Sequence, residues 1–199
     1  MTLERADVLR RIDATFPDNP VVLTLGGTVR EMIAVAGRRP NHLPNLDAMG
    51  HTIGVALGLA LGLDGRAGDR VVAIEGDGSL LMGLSVVSTV GNRKPENLVV
   101  FVLDNGVYLA TGGQPTASAD IDMVAMALAC GWSAGRDVRT EDELAAALEW
   151  TRDVPGPVLV RVYIGTAQLT TDYFLEDPAV LAEDFRRWLR SVGARDGSR

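Results

Sequence analysis

The chain contains few of the residues that build disulfide-rich proteins. It has one cysteine, Cys130, among 199 residues, so no disulfide can form within it, and an intracellular setting is expected. Cys130 continues the apolar face of a predicted helix, where an inert thiol is more common than a nucleophile. The scarcity of cysteine therefore excludes a small secreted fold held together by disulfides.

Long apolar runs and basic clusters are also missing. No run of about 18 apolar residues occurs, and the first residues, MTLERADVLRR, lack the apolar core of a secretion signal. The chain has 19 Lys and Arg against 26 Asp and Glu, a formal net charge of −7, and its basic residues are scattered. Because nucleic-acid binding needs a basic patch, we expect a cytoplasmic protein with no membrane span and no nucleic-acid partner.

The chain does contain a regular alternation of apolar strands and amphipathic helices. Helices are predicted at 2–15, 28–37, 48–63, 79–90, 120–130, 141–150 and 178–191. Strands are predicted at 21–27, 97–105, 132–138 and 156–164, with a strand, turn and helix at 70–80. This order indicates a three-layer α/β/α fold around a mainly parallel sheet. We expect one domain over 1–190, a polar loop at 38–47 and a mobile tail at 191–199.

Three glycine-bearing turns follow predicted strands: GGT at 26–28, EGDGS at 75–79 and DNG at 104–106. Ligands of open parallel sheets bind outside the carboxyl ends of the strands, so these turns should gather at one edge. Taken alone, EGDGS is most simply a tight turn in which Asp77 or Ser79 caps the next helix. The functional alternative is a phosphate at that helix N-terminus with a divalent cation on Asp77, because the helix offers only about half an elementary charge.

The spacing of these residues resembles the cofactor motif of thiamine-diphosphate-dependent enzymes. GDG at 76–78 is followed by Asn105, 28 residues after Asp77 and at the end of the next predicted strand. AMGH at 48–51 and LDNGVYLATGGQPT at 103–116 are similar to the sulfopyruvate and phosphonopyruvate decarboxylase branch of that family. The resemblance covers roughly residues 20–165 and implies the diphosphate-binding domain and fold of those enzymes.

The resemblance also implies a set of site residues. Asp77, Asn105 and the carbonyl of Val107 would bind Mg²⁺, which prefers oxygen ligands. The residues implied in binding thiamine diphosphate are Gly26, Gly27, Thr28, Asp47, Met49, Gly76, Gly78, Ser79, Thr111 and Gly112. In the family, the position of Met49 supports the bent cofactor and the carbonyl at the position of Asp47 receives the pyrimidine amino group.

Several of these roles have alternatives. Met49 equally fits plain core packing, and the carboxylate of Asp47 either shapes the pocket or faces solvent. Asp104 stands where the family usually has Asn, so it either adds charge near the metal or braces the loop. His51 is the one candidate catalytic residue, as a substrate contact or proton relay, although a lone histidine on an apolar helix is more often structural. An anionic substrate needs a cationic contact, but an arginine placed like Arg30 is usually a surface charge.

The implied function is a thiamine-diphosphate-dependent decarboxylase that converts a small 2-oxo acid to an aldehyde and CO₂. The family activates its cofactor with a Glu from a pyrimidine-binding domain of about 150 residues, and no Glu of this chain can be assigned that role. We therefore expect a β-type subunit whose α-type partner supplies the Glu, in a hetero-oligomer such as α2β2 or larger, with the helix GLALGL (58–63) at the interface. The alternatives are a carboligase of the acetolactate-synthase type and a non-catalytic, flavodoxin-like phosphate-binding module.

Overall fold

The computed structural model describes residues 2–63 and 70–196, with side chains described as far as 192. The helices are α1 (Arg5–Thr15), α2 (Gly27–Ala36), α3 (Thr52–Gly62), α4 (Asp77–Met82), α5 (Ser85–Arg93), α6 (Met123–Ala129), α7 (Glu141–Asp153) and α8 (Pro178–Asp196). The strands are β1 (Val21–Leu23), β2 (His42–Pro44), β3 (Val71–Gly76), β4 (Leu98–Asp104), β5 (Val107–Tyr108), β6 (Gln114–Pro115), β7 (Ala134–Val138) and β8 (Val158–Tyr163). No described helix is long and apolar enough to cross a lipid bilayer.

Six of the strands form one parallel sheet in the order β2-β1-β3-β4-β8-β7. Alternate side chains of its central strands enter two separate apolar cores. One core is completed by α1, α2 and α7, and the other by α3, α4, α5 and α6. Because both faces of the sheet are covered, its strands are continuous β-branched runs. The predicted three-layer α/β/α fold is confirmed.

The strand order creates a crevice at one edge of the sheet. From β1 the chain passes first to β2 on one side and then to β3 on the other. Where two connections run in opposite directions from neighbouring strands, a crevice opens at the carboxyl ends of those strands. The turns after β1, β3 and β4 therefore meet at the same edge, as the sequence predicted.

The predicted polar loop at 38–47 was wrong in part, because it contains the edge strand β2. A short edge strand that includes a proline and polar residues carries little strand signal. Its first residue, His42, is buried, and its Nε2 lies 3.1 Å from Oδ1 of Asp13 on α1. The other carboxylate oxygen of Asp13 lies 2.8 Å from Nη2 of Arg39. A tertiary contact with α1 thus secures a segment whose own sequence favours a loop.

The predicted helix at 79–90 is two helices, because α4 ends at Met82 and α5 begins at Ser85. The backbone of Gly50 packs against Gly83 at the break, where a Cβ on Gly50 would lie 2.8 Å from the Gly83 nitrogen. Two glycines are needed for this approach, since neither position has room for a side chain. The contact ties the turn before α3 to the helix that begins at Asp77.

Two other predicted boundaries differ from the structure. The helix predicted at 48–63 begins at Thr52, after a turn. The helix α8 continues to Asp196, so residues 191–196 of the predicted tail are helical. Residues 197–199 lie outside the described part of the chain, and the mobility of the tail stays a prediction.

Burial makes His42 a source of pH-dependent stability. Desolvation lowers the pKa of His42 to about 4, against the opposing pull of the Asp13 carboxylate. Between pH 6.5 and about 4 the unfolded chain therefore binds a proton that the folded chain excludes. The contribution of His42 to the free energy of unfolding should fall by about 3 kcal/mol as the pH falls through this window.

Urea unfolding across that pH range checks this prediction. The difference in unfolding free energy between wild type and His42→Gln should change by about 3 kcal/mol across this range, because only wild type carries the titrating histidine. His51→Gln is the matched control, since His51 is the other histidine of the chain and is exposed. An equal pH dependence in wild type and His42→Gln would show that other groups cause it.

Candidate functional site

A cleft of about 780 Å³ opens at the carboxyl ends of β1, β3 and β4. Most of the predicted site residues line it, namely Gly26, Gly27, Thr28, Asp47, Met49, Gly76, Asp77, Gly78, Ser79, Asn105, Val107 and Thr111. His51 and Gly112 are not part of the lining. The sheet topology thus brings together three turns that are far apart in the sequence.

Asp77 is the central acidic residue of the cleft. It is the first residue of α4 and is 3% exposed, and Thr116 Oγ1 donates a 2.6 Å hydrogen bond to its Oδ2. Burial raises the pKa of Asp77, and the charge of Asp104 raises it further, while hydrogen bonds from Thr116 and from the amides of Gly78 and Asn105 oppose them. An acid whose ionised form is disfavoured in this way would gain from a nearby cation.

Asn105 and Val107 form the turn that follows β4. The side-chain oxygen of Asn105 accepts a hydrogen bond from the Val107 amide at 3.1 Å. The amide of Thr116 donates a hydrogen bond to the Gly106 carbonyl at 2.9 Å. The described residues contain no group of three or more His, Cys, Asp and Glu that could hold a metal. The carboxylate of Asp77, the amide oxygen of Asn105 and the carbonyl of Val107 would together supply part of an oxygen shell. They fit Mg²⁺, which takes its other oxygens from phosphate and water.

Gly78 and Ser79, in the first turn of α4, contact different neighbouring segments. A Cβ on Gly78 would overlap the ring of Tyr108, so the close approach of that ring requires glycine. The hydroxyl of Ser79 accepts hydrogen bonds from the Gly50 amide at 2.9 Å and from Thr24 Oγ1 at 3.3 Å. These bonds connect the first turn of α4 to the carboxyl end of β1 and to the turn before α3.

The turn before α3 presents Asp47 and Met49. Asp47 is exposed and adopts a left-handed backbone with φ 58°, and Asn45 Nδ2 donates to the neighbouring Ala48 carbonyl at 2.9 Å. Met49 is half-buried in the lining of the cleft. His51 is exposed, with its Nδ1 2.7 Å from the Met49 carbonyl. This bond holds the ring beside the turn, and its catalytic role stays a prediction.

Asp104 is paired with a buried arginine. It is 4% exposed, and Nε and Nη2 of Arg161 lie 2.7 and 2.6 Å from its Oδ2. Its other oxygen accepts hydrogen bonds from Ser118 Oγ at 2.9 Å and from the Gly106 amide at 3.0 Å. The geometry supports bracing of the loop, and the charge of Asp104 also acts on Asp77, whose pKa it raises.

Sequence reasoning missed the network that joins this pair to Asp77. Ser118 Oγ lies 3.0 Å from Thr116 Oγ1, which in turn contacts Asp77, while Arg161 also donates to the Ser118 carbonyl at 2.7 Å. A signal was present, because an arginine inside the apolar strand VLVRVY must find an acidic partner when it is buried. The sequence could not show that the partner is Asp104.

Glu75 is a second residue that the sequence did not single out. It is fully buried behind the turn, and burial raises the pKa of its carboxyl. Its Oε1 accepts the Gly76 amide at 3.1 Å, and its Oε2 has no hydrogen-bond partner among the described residues. A raised pKa favours the neutral form of this carboxyl.

Comparison with known proteins places the chain among cofactor-binding domains. The family model "Thiamine pyrophosphate enzyme, C-terminal TPP binding domain" matches residues 28–162. The phosphonopyruvate decarboxylase of Streptomyces viridochromogenes is 40% identical over 166 residues, which are 83% of this chain and 41% of that protein. The chain thus spans about two fifths of that relative. The sulfopyruvate decarboxylase subunit beta of Methanothermobacter thermautotrophicus is 35% identical over 96% of this chain and 98% of the subunit.

A solved structure supports the same fold. The benzoylformate decarboxylase of Polynucleobacter necessarius superposes with a TM-score of 0.70 at 23% identity, over 85% of this chain and 34% of that one. At this identity the likeness concerns the fold alone. It confirms the fold predicted from the resemblance.

Substitutions of Asp104 and Arg161 should have strongly coupled effects on the free energy of unfolding. Asp104→Asn leaves a buried arginine without its counter-charge and should cost about 3–5 kcal/mol of unfolding free energy. Arg161→Gln should cost a similar amount, whereas the double variant should be more stable than the sum of the two losses implies. Chemical denaturation of the three variants measures this.

An exposed ion pair supplies the control for this cycle. Asp7 and Arg10 pair on the surface of α1, so Asp7→Asn should change stability by less than about 1 kcal/mol. Additive losses in the Asp104 and Arg161 variants would contradict a direct pairing.

Proposed function

We propose that this member of the thiamine pyrophosphate enzyme family is the cofactor- and Mg²⁺-binding subunit of a two-component decarboxylase. The chain belongs to that family because the model of the C-terminal TPP-binding domain matches residues 28–162. Its substrate would be a small 2-oxo acid such as sulfopyruvate or phosphonopyruvate, and its products an aldehyde and CO₂. The observation that carries the proposal is the cleft in which Asp77, Asn105 and Val107 lie together. The names of the similar decarboxylases support the reaction class.

In this proposal the two ends of the cofactor meet different parts of the cleft. Asp77, Asn105 and the Val107 carbonyl hold Mg²⁺, and the amides at 26–28 and 78–79 meet the diphosphate, which a helix N-terminus favours. The cofactor itself supplies the electron sink for loss of CO₂. The chain's own task is to bind and bend it, with Met49 beneath it and the Asp47 carbonyl receiving its amino group.

A second chain is needed to complete the proposed site. Of the residues that line the cleft in the described part of the chain, Asp47 and Asp77 are the carboxylates, and no glutamate is among them. The similar subunit beta has nearly the same length as this chain. We propose an α-type partner that brings the activating Glu, in an assembly such as α2β2.

Exposed apolar residues on α3 and around α4, one of them in the cleft lining, support a partner chain. Val55 of α3, Met82 of α4 and Leu84 are 38%, 59% and 36% exposed, and Met82 also lines the cleft. The outer face of α3 continues this surface with the exposed glycines Gly54 and Gly58. Such a patch beside an incomplete site is typical of an interface.

Mixing of separately purified chains tests the two-component proposal. The chain alone, supplied with Mg²⁺ and thiamine diphosphate, should release no CO₂ from a panel of 2-oxo acids. Co-expression with the product of the neighbouring gene should restore decarboxylation. Robust CO₂ release by the chain alone would contradict the proposal.

Product analysis separates decarboxylation from carboligation. With pyruvate alone and with an added aldehyde, a carboligase of the acetolactate-synthase type would give coupled products, whereas the proposed decarboxylase would give the free aldehyde. The flavodoxin-like module loses its support, because the family match covers residues 28–162.

A further inference from the structure

The end of β3 places a carboxyl in an apolar layer of the protein. Side chains of a strand alternate between its two faces, so Glu75 shares a face with Val71 and Ala73, which belong to the core completed by α3, α4, α5 and α6. Glu75 is fully buried, and its Oε2 has no hydrogen-bond partner among the described residues. It does not line the cleft. None of the roles proposed above uses this carboxyl.

Three buried hydroxyl groups lie around Glu75, and each comes from a different segment. They belong to Thr24 at the carboxyl end of β1, Thr52 at the start of α3 and Ser79 in the first turn of α4. Burial raises the pKa of Glu75, and these hydroxyls lie close enough to oppose that effect as hydrogen-bond donors. The carboxyl is thus the point at which three segments of the site meet.

Two of these hydroxyls still have a hydrogen to donate. Thr24 Oγ1 donates to Ser79 Oγ at 3.3 Å, so its hydrogen is used. Ser79 Oγ accepts a second bond from the Gly50 amide at 2.9 Å. Thr52 Oγ1 accepts a bond from Asn45 Nδ2 at 3.4 Å. Because a hydroxyl also carries one donor, two unused donors lie beside a carboxyl that has an unused oxygen.

A carboxyl in this position reduces the stability of the fold. Burying a polar group without a full set of hydrogen bonds costs free energy, whereas an apolar side chain of similar shape is nearly neutral or stabilising. The hydrogen bond that Glu75 Oε1 accepts comes from the Gly76 amide at 3.1 Å, and Gly76 lines the cleft, where water can replace that bond. Departures of this kind from core composition are expected where function requires them.

We propose that Glu75 is a positioning residue of the cofactor cleft, whose carboxyl gathers these three hydroxyls. It thereby holds the first turn of α4 in register with the end of β1 and with the turn before α3. The inference rests on the proposed function, in which the first turn of α4 meets the diphosphate and the turn before α3 meets the other end of the cofactor. Glu75 acts only through these segments, since it lies outside the cleft lining. The relative placement of the two ends of the cofactor then depends on one buried side chain.

Replacement by an apolar side chain separates this role from a structural one. Glu75→Met keeps a long side chain and removes the carboxyl. In urea unfolding of the cofactor-free chain, the midpoint should be unchanged or higher than in wild type, because an unpaired buried oxygen is removed. In the two-chain enzyme with Mg²⁺, calorimetry should show thiamine diphosphate binding at least about tenfold weaker, because the turns are no longer held together. A purely structural residue would instead lower the unfolding midpoint when it is replaced.

A double-variant cycle tests one of the hydroxyls that Glu75 gathers. Thr52→Val removes a hydroxyl that does not line the cleft. It should weaken thiamine diphosphate binding about threefold alone and add little further loss in Glu75→Met, because the two groups act together. Thr151→Val is the matched control and should bind like wild type, since Thr151 is equally buried but lies on α7, outside the cleft lining. Glu75→Gln, which keeps one acceptor oxygen, should lose less affinity than Glu75→Met.

Three results would overturn the positioning role alone. The first is wild-type affinity for thiamine diphosphate in Glu75→Met, and the second is weaker binding together with a lower unfolding midpoint. The third is additive losses of affinity in the Glu75→Met and Thr52→Val cycle. Failure of the wild-type two-chain enzyme to bind thiamine diphosphate would instead reject the proposed function, and this inference with it. The wild-type titration therefore distinguishes the two failures.

Discussion

The rest of the site depends on how two buried carboxylates at the ends of β3 and β4 are compensated. A buried charge is costly unless it is paired. Asp104 is paired within the chain, by Arg161 on the adjacent strand β8. Asp77 has the Thr116 hydroxyl but no basic partner among the described residues, and burial raises its pKa. One acid is thus paired within the fold, whereas the other would gain from the cation that we propose to arrive with the cofactor.

Parallel-sheet topology places the remaining groups around Asp77. The turns after β1, β3 and β4 meet at one edge because these strands are neighbours. Ser79 then joins them, since its hydroxyl contacts both Thr24 and the Gly50 amide. The approach of Gly50 to Gly83 brings the Asp47 and Met49 turn to the same cleft. The proposed cofactor would therefore bind across four segments: the three turns and the segment of Asp47 and Met49.

The sequence predicted what depends on local pattern. The apolar strands, the three layers and the spacing of Asp77 and Asn105 follow from short segments of the chain. It missed what depends on contacts between distant segments. These are the edge strand at His42, which packs on α1, and the helix break at Gly83, which is caused by Gly50. The pairing of Arg161 with Asp104 likewise joins residues 57 positions apart, and no local pattern indicates it.

We propose that Asp77 holds the divalent cation through which the diphosphate binds. Calorimetric titration of thiamine diphosphate into the two-chain enzyme, with and without Mg²⁺, measures this dependence. We predict Mg²⁺-dependent binding that Asp77→Asn weakens at least about 100-fold, because the one charged metal ligand is lost. Asp18→Asn, at an exposed position, should bind like wild type. Equal affinity in Asp77→Asn and wild type, or binding by wild type that needs no divalent cation, would contradict the account.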